Sequence, residues 1–285
     1  MTLCALRPDT ERLPPRDAAP THTEPQGTSR LARIWLALPA FNEERSLPAL
    51  LERCLPLERS LKERGIEFSV IVVDDGSRDG TLAAARGFQG RLALELVPHE
   101  VNRGLGAALR TGIAAALERA VDDDDIVTMD ADNTHDPALI PELERLSREH
   151  RADIVIASRY APGGREVGLS PLRRVLSRGA SALLALTAPV RGARDYTCGY
   201  RLYRASILRR AAALWGDRLI EESGFTCMAE LLLKLGRGGA RVAEAPLVLR
   251  YDLKEGASKM KMTRTIARYF ELIRRVRSRA MPRLT

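Results

Sequence analysis

Residues 126–137 read IVTMDADNTHDP, a short apolar run that ends abruptly in carboxylates. The run at 126–129 suits a buried strand, and Asp130 and Asp132 stand just past its end with one small residue between them. Outward from this stretch the same transition occurs twice more. Residues 34–38 run into LPAFNEE (38–44), and residues 68–73 run into DDGSRDGT (74–81). Further strands are predicted at 92–97 and 154–157, with helical patterns at 43–64, 79–88, 104–120 and 137–149 between the strands. Strand and helix alternating at this spacing imply βαβ units, hence an α/β domain with a parallel sheet covered by helices on both faces. Ligands of such sheets bind beyond the carboxyl ends of the strands, where all three polar clusters fall.

The residue types narrow the chemistry. Asp130 and Asp132 can both reach one divalent ion, and Ala131 leaves room for a ligand beside it. Hard oxygen donors suit Mg²⁺ or Mn²⁺, which keep coordination positions open for substrate phosphates. Such an ion would neutralise charge on a departing diphosphate. His135 either extends this site or starts the next helix. Asn42 can cap a helix, and Glu43 and Glu44 either favour its dipole or face a ligand. Asp74 and Asp75, followed by Gly76, exceed what a turn requires. Gly104, Gly106 and Gly112 fit either a phosphate-binding helix start or close helix-to-sheet packing, and packing is favoured because the G-x-G-x-x-G spacing is missing. The acidic run Asp122, Asp123, Asp124 and Asp125 reads as solvated surface.

The 285-residue composition, 45% hydrophobic and 29% charged, excludes collagenous and disulfide-stapled classes and disorder over most of the length. The net charge of +8 is confined to residues 254–285, which hold ten Lys or Arg against two Glu. That distribution argues against a nucleic-acid partner and for a local anionic one. Cys4, Cys54, Cys198 and Cys227 are widely spaced, as reduced thiols of a cytoplasmic protein would be. No apolar run reaches transmembrane length. Residues 1–30, rich in proline, read as a disordered leader, 31–253 as the catalytic domain and 254–285 as a basic C-terminal segment. There Ile266, Tyr269, Phe270, Ile273 and Val276 recur at helical spacing among Arg264, Arg268, Arg275 and Arg279. Such a helix either lies peripherally on an anionic membrane surface or docks its stripe on the domain. The helical pattern at 169–186 likewise covers either an acceptor site or the sheet.

Taken together, LPAFNEE, VVDDGSRDGT, NRGLGAALRTG and MDADNTHDP, in this order, resemble the family 2 glycosyltransferases. SRYAPGG (158–164), LSRGAS (176–181), DYTCGYRLYR (195–204), GFTCMAELLLKLG (224–236) and GASK (256–259) are similar to its dolichol- or polyprenyl-phosphate mannosyltransferase branch. The resemblance implies the GT-A fold, a Rossmann-like nucleotide-sugar-binding architecture with a mixed, mostly parallel sheet and flanking helices. It also implies roles for residues. Pro39, Phe41, Glu43, Asp74 and Asp75 would surround the base and ribose of a nucleotide-sugar donor. Asp130 and Asp132 would hold the metal on its diphosphate. Arg159 and Arg178, with Arg174 as alternative, would meet the phosphate of a polyprenyl phosphate acceptor. Arg201, Ser258 and Lys259 would close over the donor phosphates. This sequence departs from the family at Thr134, often glutamine, and at Cys198 and Tyr200.

The expected reaction is displacement at the anomeric carbon with inversion, moving a sugar, mannose from GDP-mannose, to the lipid phosphate. A UDP-sugar donor or a hydroxyl acceptor is the alternative. A phosphate acceptor is largely dianionic at pH 7 and needs no base. A hydroxyl would need a carboxylate, for which Asp195, Glu221, Glu222 and Glu230 are candidates.

Overall fold

The computed structural model describes residues 30–254, 262–278 and 284. Of the leader expected at 1–30 only Arg30 falls among the described residues, and Ser258 and Lys259 lie outside them. The elements below all belong to one unit, Leu31–Thr285.

The first half follows the alternating pattern. Strand β1 (Ala32–Ala40) leads to α1 (Ser46–Glu63), β2 (Ile66–Asp74), α2 (Thr81–Arg86), β3 (Leu94–Pro98), α3 (Leu105–Arg119) and β4 (Asp125–Thr128). A 3-10 turn at Pro137–Leu139, started by the Asp136 side chain, continues into α4 (Ile140–Glu149) and β5 (Ile154–Ser158). The second half adds β6 (Arg165–Val167), α5 (Pro171–Thr187), β7 (Arg201–Arg204), α6 (Ala205–Trp215), α7 (Thr226–Arg237), β8 (Val242–Pro246), β9 (Val248–Arg250) and α8 (Met262–Ser278).

Seven strands form one sheet in the order β3-β2-β1-β4-β7-β5-β8, and β6 pairs with β9 separately. All neighbours in the large sheet are parallel except β7, which runs antiparallel between β4 and β5. The sheet is therefore mixed and mostly parallel. Its order explains where a ligand can bind. The chain builds outward through β1, β2 and β3, then returns to place β4 on the other side of β1. Right-handed crossovers put α3 on the face opposite α1 and α2, so the connections diverge between β1 and β4 and leave a crevice at their carboxyl ends.

Val70, Ile71, Val72 and Val73 of β2 and Ile154, Val155, Ile156 and Ala157 of β5 are buried on both faces, as central strands of a helix-covered sheet require. The glycines divide between two partners. Gly112 lets α3 approach Ala37 and Val73 on the sheet, where a Cβ would lie within 3.3 Å of both side chains. Gly104 and Gly106 instead meet the backbone of Ser223 and Glu222, and a Cβ on Gly106 would sit 1.8 Å from the Glu222 carbonyl oxygen. The acidic run also divides. Asp122 and Asp123 are exposed, whereas Asp124 and Asp125 are buried. Asp124 accepts from Arg33 N, Val121 N and Trp35 Nε1, tying the start of β4 to β1, so only half of the run is solvated surface.

Candidate active site

The crevice between β1 and β4 opens into a cleft of about 410 Å³. Its walls include Pro39, Phe41 and Glu43 beyond β1, Asp75 beyond β2, and Asp130, Ala131 and Asp132 beyond β4. A second chamber of about 160 Å³ lies on the far side of the same two aspartates. Asp130, Asp132, Phe225, Lys254 and Thr265 line both spaces.

Asp74 and Asp75 have separate places. Asp74 is buried, accepts from Ser77 N at 3.2 Å and does not line the cleft, so its carboxylate shapes the turn rather than the expected base and ribose site. Asp75 reaches the cleft wall, but its oxygens take Arg103 N (2.9 Å), Gly104 N (2.8 Å), Asn102 Nδ2 (2.9 Å) and the His99 ring (2.7 Å). Asp75 thus fixes the loop that starts α3, and that loop carries Asn102 and Gly104 into the cleft wall.

Asp130 and Asp132 differ although only Ala131 separates them. Asp132 accepts from Thr134 Oγ1 at 2.6 Å and pairs with Lys254. Burial opposes its ionisation, but Lys254, His135 and these hydrogen bonds outweigh that and hold its carboxyl below the usual range. Among the described residues Asp130 has no hydrogen-bond donor, and burial, followed by the charge of Asp132, pushes its pKa up. A desolvated carboxylate without a donor beside an ionised one is a site short of positive charge, and the oxygen chemistry suits Mg²⁺ or Mn²⁺. Among the described residues no group of three or more His, Cys, Asp or Glu forms a closed metal cage. Two carboxylates plus phosphate oxygens and water are what Mg²⁺ ordinarily takes. The residues fit such an ion, provided that Lys254 yields its place on Asp132.

In the second chamber Arg159 grips Asp195 through Nε and Nη2, both at 2.7 Å, and extends Nη1 to Ser177 and Nη2 to Thr197. Burial raises the Asp195 pKa, but the Arg159 charge and hydrogen bonds prevail and hold it low. Arg178 is exposed, stacks 5.8 Å over the Tyr160 ring and lines neither space. Arg174 faces Glu166 at 3.6 Å. The guanidinium that joins Arg159 in the chamber wall is Arg173, which donates to Tyr251 Oη at 2.7 Å. Arg201 does not close over either space. It is wholly buried in β7 and donates to the carbonyls of Met228 and Tyr196, so it rivets the sheet to α7. His135 lines the chamber, and burial drives its pKa down to about 4, so the ring is neutral at pH 7.

Sequence reasoning missed Lys254, Arg173, Phe225 and Thr265 in these walls. Lys254 and Asp132 are 122 positions apart, and no local pattern links them. The acids considered as bases are engaged. Glu230 accepts from Glu221 N, Glu222 N and Lys234 Nζ, and Glu222 from Thr226 Oγ1 and Arg275. The C-terminal helix corrects another expectation. Tyr269, Ile273 and Val276 of its stripe, with Leu272, are buried against the body, and Phe270 is the one large apolar side chain among its described residues that is exposed. Three of the five stripe residues are thus spent on docking, the second of the two expected uses, and the membrane use gains no support.

Comparison with known proteins agrees with this geometry. Residues 35–211 match the family Glycosyl transferase family 2. An undecaprenyl-phosphate mannosyltransferase of Micrococcus luteus is 35% identical over 232 residues, 80% of this chain and 87% of that one. A dodecaprenyl-phosphate galacturonate synthase of Rhizobium johnstonii is 37% identical over 177 residues, 61% of this chain and 48% of the relative, about half its length. Among solved structures, glucosyl-3-phosphoglycerate synthase of Mycobacterium tuberculosis, with Mn²⁺, UDP and phosphoglyceric acid, superposes with a TM-score of 0.60 at 21% identity, covering 87% of this chain and 78% of that one. Mannosyl-3-phosphoglycerate synthase of Rubrobacter xylanophilus gives 0.53 at 17% identity, covering 87% and 73%. At such identities the likeness speaks for the fold. With residues 35–211, more than half of its length, matched by the family and a curated relative 35% identical over 80% of it, this chain belongs to glycosyl transferase family 2.

Proposed function

We propose that the protein transfers a sugar, mannose from GDP-mannose, to the phosphate of a polyprenyl phosphate with inversion at the anomeric carbon. The observation that carries this reading is the meeting of two spaces at Asp130 and Asp132, one large enough for a nucleotide-sugar and the other walled by Arg159 and Arg173. Among the described residues, the only acids lining the second chamber are those two aspartates. That favours an acceptor carrying its own negative charge, since a hydroxyl would need a base and Asp195 is committed to Arg159. The two curated relatives are named for polyprenyl-phosphate acceptors, and the Micrococcus protein for mannose.

In this mechanism the dianionic acceptor phosphate attacks the anomeric carbon from the second chamber as the bond to the donor diphosphate breaks. Arg173 and the Arg159 cluster orient the acceptor, since fork-shaped N–H donors match phosphate oxygens. Pro39, Phe41 and Glu43 hold the nucleoside end, and Asp75 acts through the loop it fixes. Asp130 and Asp132 would hold Mg²⁺ or Mn²⁺, which supplies charge neutralisation to the leaving diphosphate. Ser258 and Lys259 stay with the donor phosphates in this proposal, and a cytoplasmic location stays with it too, supported by the unpaired, buried Cys54, Cys198 and Cys227. No helix among the described residues is long and apolar enough to cross a membrane.

The test supplies purified protein with a short-chain polyprenyl phosphate and labelled GDP- and UDP-sugars, with Mg²⁺ or Mn²⁺ and with chelator. Label from GDP-mannose should enter the organic phase, vanish with chelator, and fall about 100-fold or more in folded Asp132→Asn. Nucleotide release without organic label would refute the lipid acceptor, and labelling from a UDP-sugar alone would refute the donor.

A further inference from the structure

Of the five residues at which the two spaces meet, Asp130, Asp132, Lys254 and Thr265 are polar and Phe225 is apolar. Phe225 stands at the start of α7 and stays 36% accessible, although the helix it leads into is buried from Thr226 to Leu235. Among the described residues it stacks on no other ring. The chain on both sides of it is firmly held. Glu222 N donates to Glu230 at 2.8 Å, and Thr226 Oγ1 donates to Glu222 at 2.7 Å. Ser223 accepts from Gly106 N at its carbonyl (3.2 Å) and from Arg268 at its hydroxyl (2.8 Å). A slack loop would fold such a ring away from water, and these bonds prevent that. A large apolar side chain that pinned backbone presents to two polar spaces finds its partner in what fills them.

We propose that Phe225 is the platform for the sugar under transfer, its ring lying against the C–H face of the hexose and keeping water from the anomeric carbon. The inference rests on the proposed transfer between two phosphates. There the sugar is bonded to the donor diphosphate in one space and attacked from the other, so it occupies the junction. A hexose carries hydroxyls around its rim and a patch of C–H bonds on its face. The rim suits the polar groups of Lys254 and Thr265, and the C–H patch, slightly positive, suits the negative face of an aromatic ring. Among the described Phe and Tyr residues of these walls, Phe41 lines only the donor cleft and Tyr251 and Tyr269 only the second chamber, so Phe225 alone reaches both. The ring also guards the reaction. A water in the second chamber can attack the same carbon: its oxygen bonds to that carbon, the bond to the diphosphate breaks, and its proton passes to solvent, which leaves free sugar and nucleoside diphosphate. An apolar ring takes up the room of that water and offers it no hydrogen bond.

The test compares Phe225→Ala and Phe225→Tyr, in the full chain, with unmodified protein and with Phe270→Ala, an exposed phenylalanine that lines neither space. Calorimetry in Mg²⁺ measures binding of GDP and of GDP-mannose, and of UDP and UDP-glucose in a parallel arm. Labelled donor is then followed into lipid-linked sugar and free sugar. Phe225→Ala should bind the nucleoside diphosphate as unmodified protein does and lose about 3- to 10-fold in affinity for the nucleotide-sugar. Free sugar should rise about tenfold relative to transferred sugar. Phe225→Tyr should restore both, and Phe270→Ala should change neither. Equal losses for nucleotide and nucleotide-sugar would make Phe225 a prop for the start of α7 and overturn the proposal. So would a Phe225→Ala protein with unchanged nucleotide-sugar affinity and an unchanged product ratio, or an unmodified protein that binds no nucleotide-sugar. A Phe225→Ala protein that loses affinity for the nucleotide-sugar alone, where the unmodified protein puts no sugar on lipid phosphate, would leave the platform standing and remove the proposed acceptor.

Discussion

Helices α5 and α8 have the same length, the same basic character and a similar helical stripe, yet they meet opposite surroundings. α8 buries Tyr269, Leu272, Ile273 and Val276, while α5 fully buries only Ser181 and Leu184 along 17 residues. The cause lies in their neighbours. α7 is buried on every side from Thr226 to Leu235, and such a helix requires cover all round. α8 supplies part of that cover, and it also sets Arg275 on Glu222 at 2.6 Å. α5 packs only one edge against the body and against α8. The two helices share the second chamber, to which α5 gives Ser177 and α8 gives Tyr269, and of the two only α8 reaches the donor cleft, through Thr265 and Arg268. A stripe in a sequence therefore states that a helix needs an apolar partner, and the elements around it decide whether one is already present.

The comparison breaks most easily at equivalent leucines. Leu272→Ala should cost about 2–5 kcal/mol of stability, because a fully buried side chain leaves a cavity. Leu172→Ala should stay within about 0.5 kcal/mol, since its side chain is already in water. Urea unfolding of the two variants measures both, and equal midpoints would show that α8 is no better docked than α5.

Much of the first half was legible in the sequence. Strands predicted at 34–38, 68–73 and 154–157 lie inside β1, β2 and β5, because continuous β-branched and apolar runs have few other uses in a parallel sheet. The three polar clusters at strand ends proved to surround one crevice, which follows from βαβ connection rules. The second half was less legible. β7 is four residues long and begins with Arg201, whose charge argues for the surface, and its burial depends on carbonyls at 196 and 228 that no local pattern reveals. The roles of Arg173 and Arg178 could not be told apart, since one helical turn separates a chamber wall from solvent. Lys254 was invisible for a similar reason: its partner Asp132 lies on another element, and only the fold brings them together.

A sharper test concerns what α8 does for the cleft. Arg275→Met should cost about 1–3 kcal/mol by leaving buried Glu222 without its cation, a loss that the exposed Arg178 of α5 has no means to match. Since Glu222 and Ser223 border α3 through Gly104 and Gly106, the donor KM should rise with that loss. Thermal unfolding and donor KM, measured together, separate the two effects. A drop in stability at constant KM would mean that α7 alone sets the loop.

The smallest effect should come from Arg268, whose Nη1 donates to Ser223 Oγ at 2.8 Å while its side chain lines the donor cleft. This contact is exposed and solvent competes for both groups, so Arg268→Ala should change stability by less than about 1 kcal/mol. Its effect belongs to binding. Ser223 sits opposite Gly104, at the helix start that Asp75 holds, so loosening it relaxes one wall of the donor cleft without touching the chamber. The donor KM should rise a few-fold, about what one net hydrogen bond is worth, while the KM for the lipid phosphate stays unchanged. A rise in acceptor KM instead would mean that Arg268 also sets the second chamber, which α8 reaches through Thr265 and Tyr269, and α8 would then serve the acceptor as well as the donor.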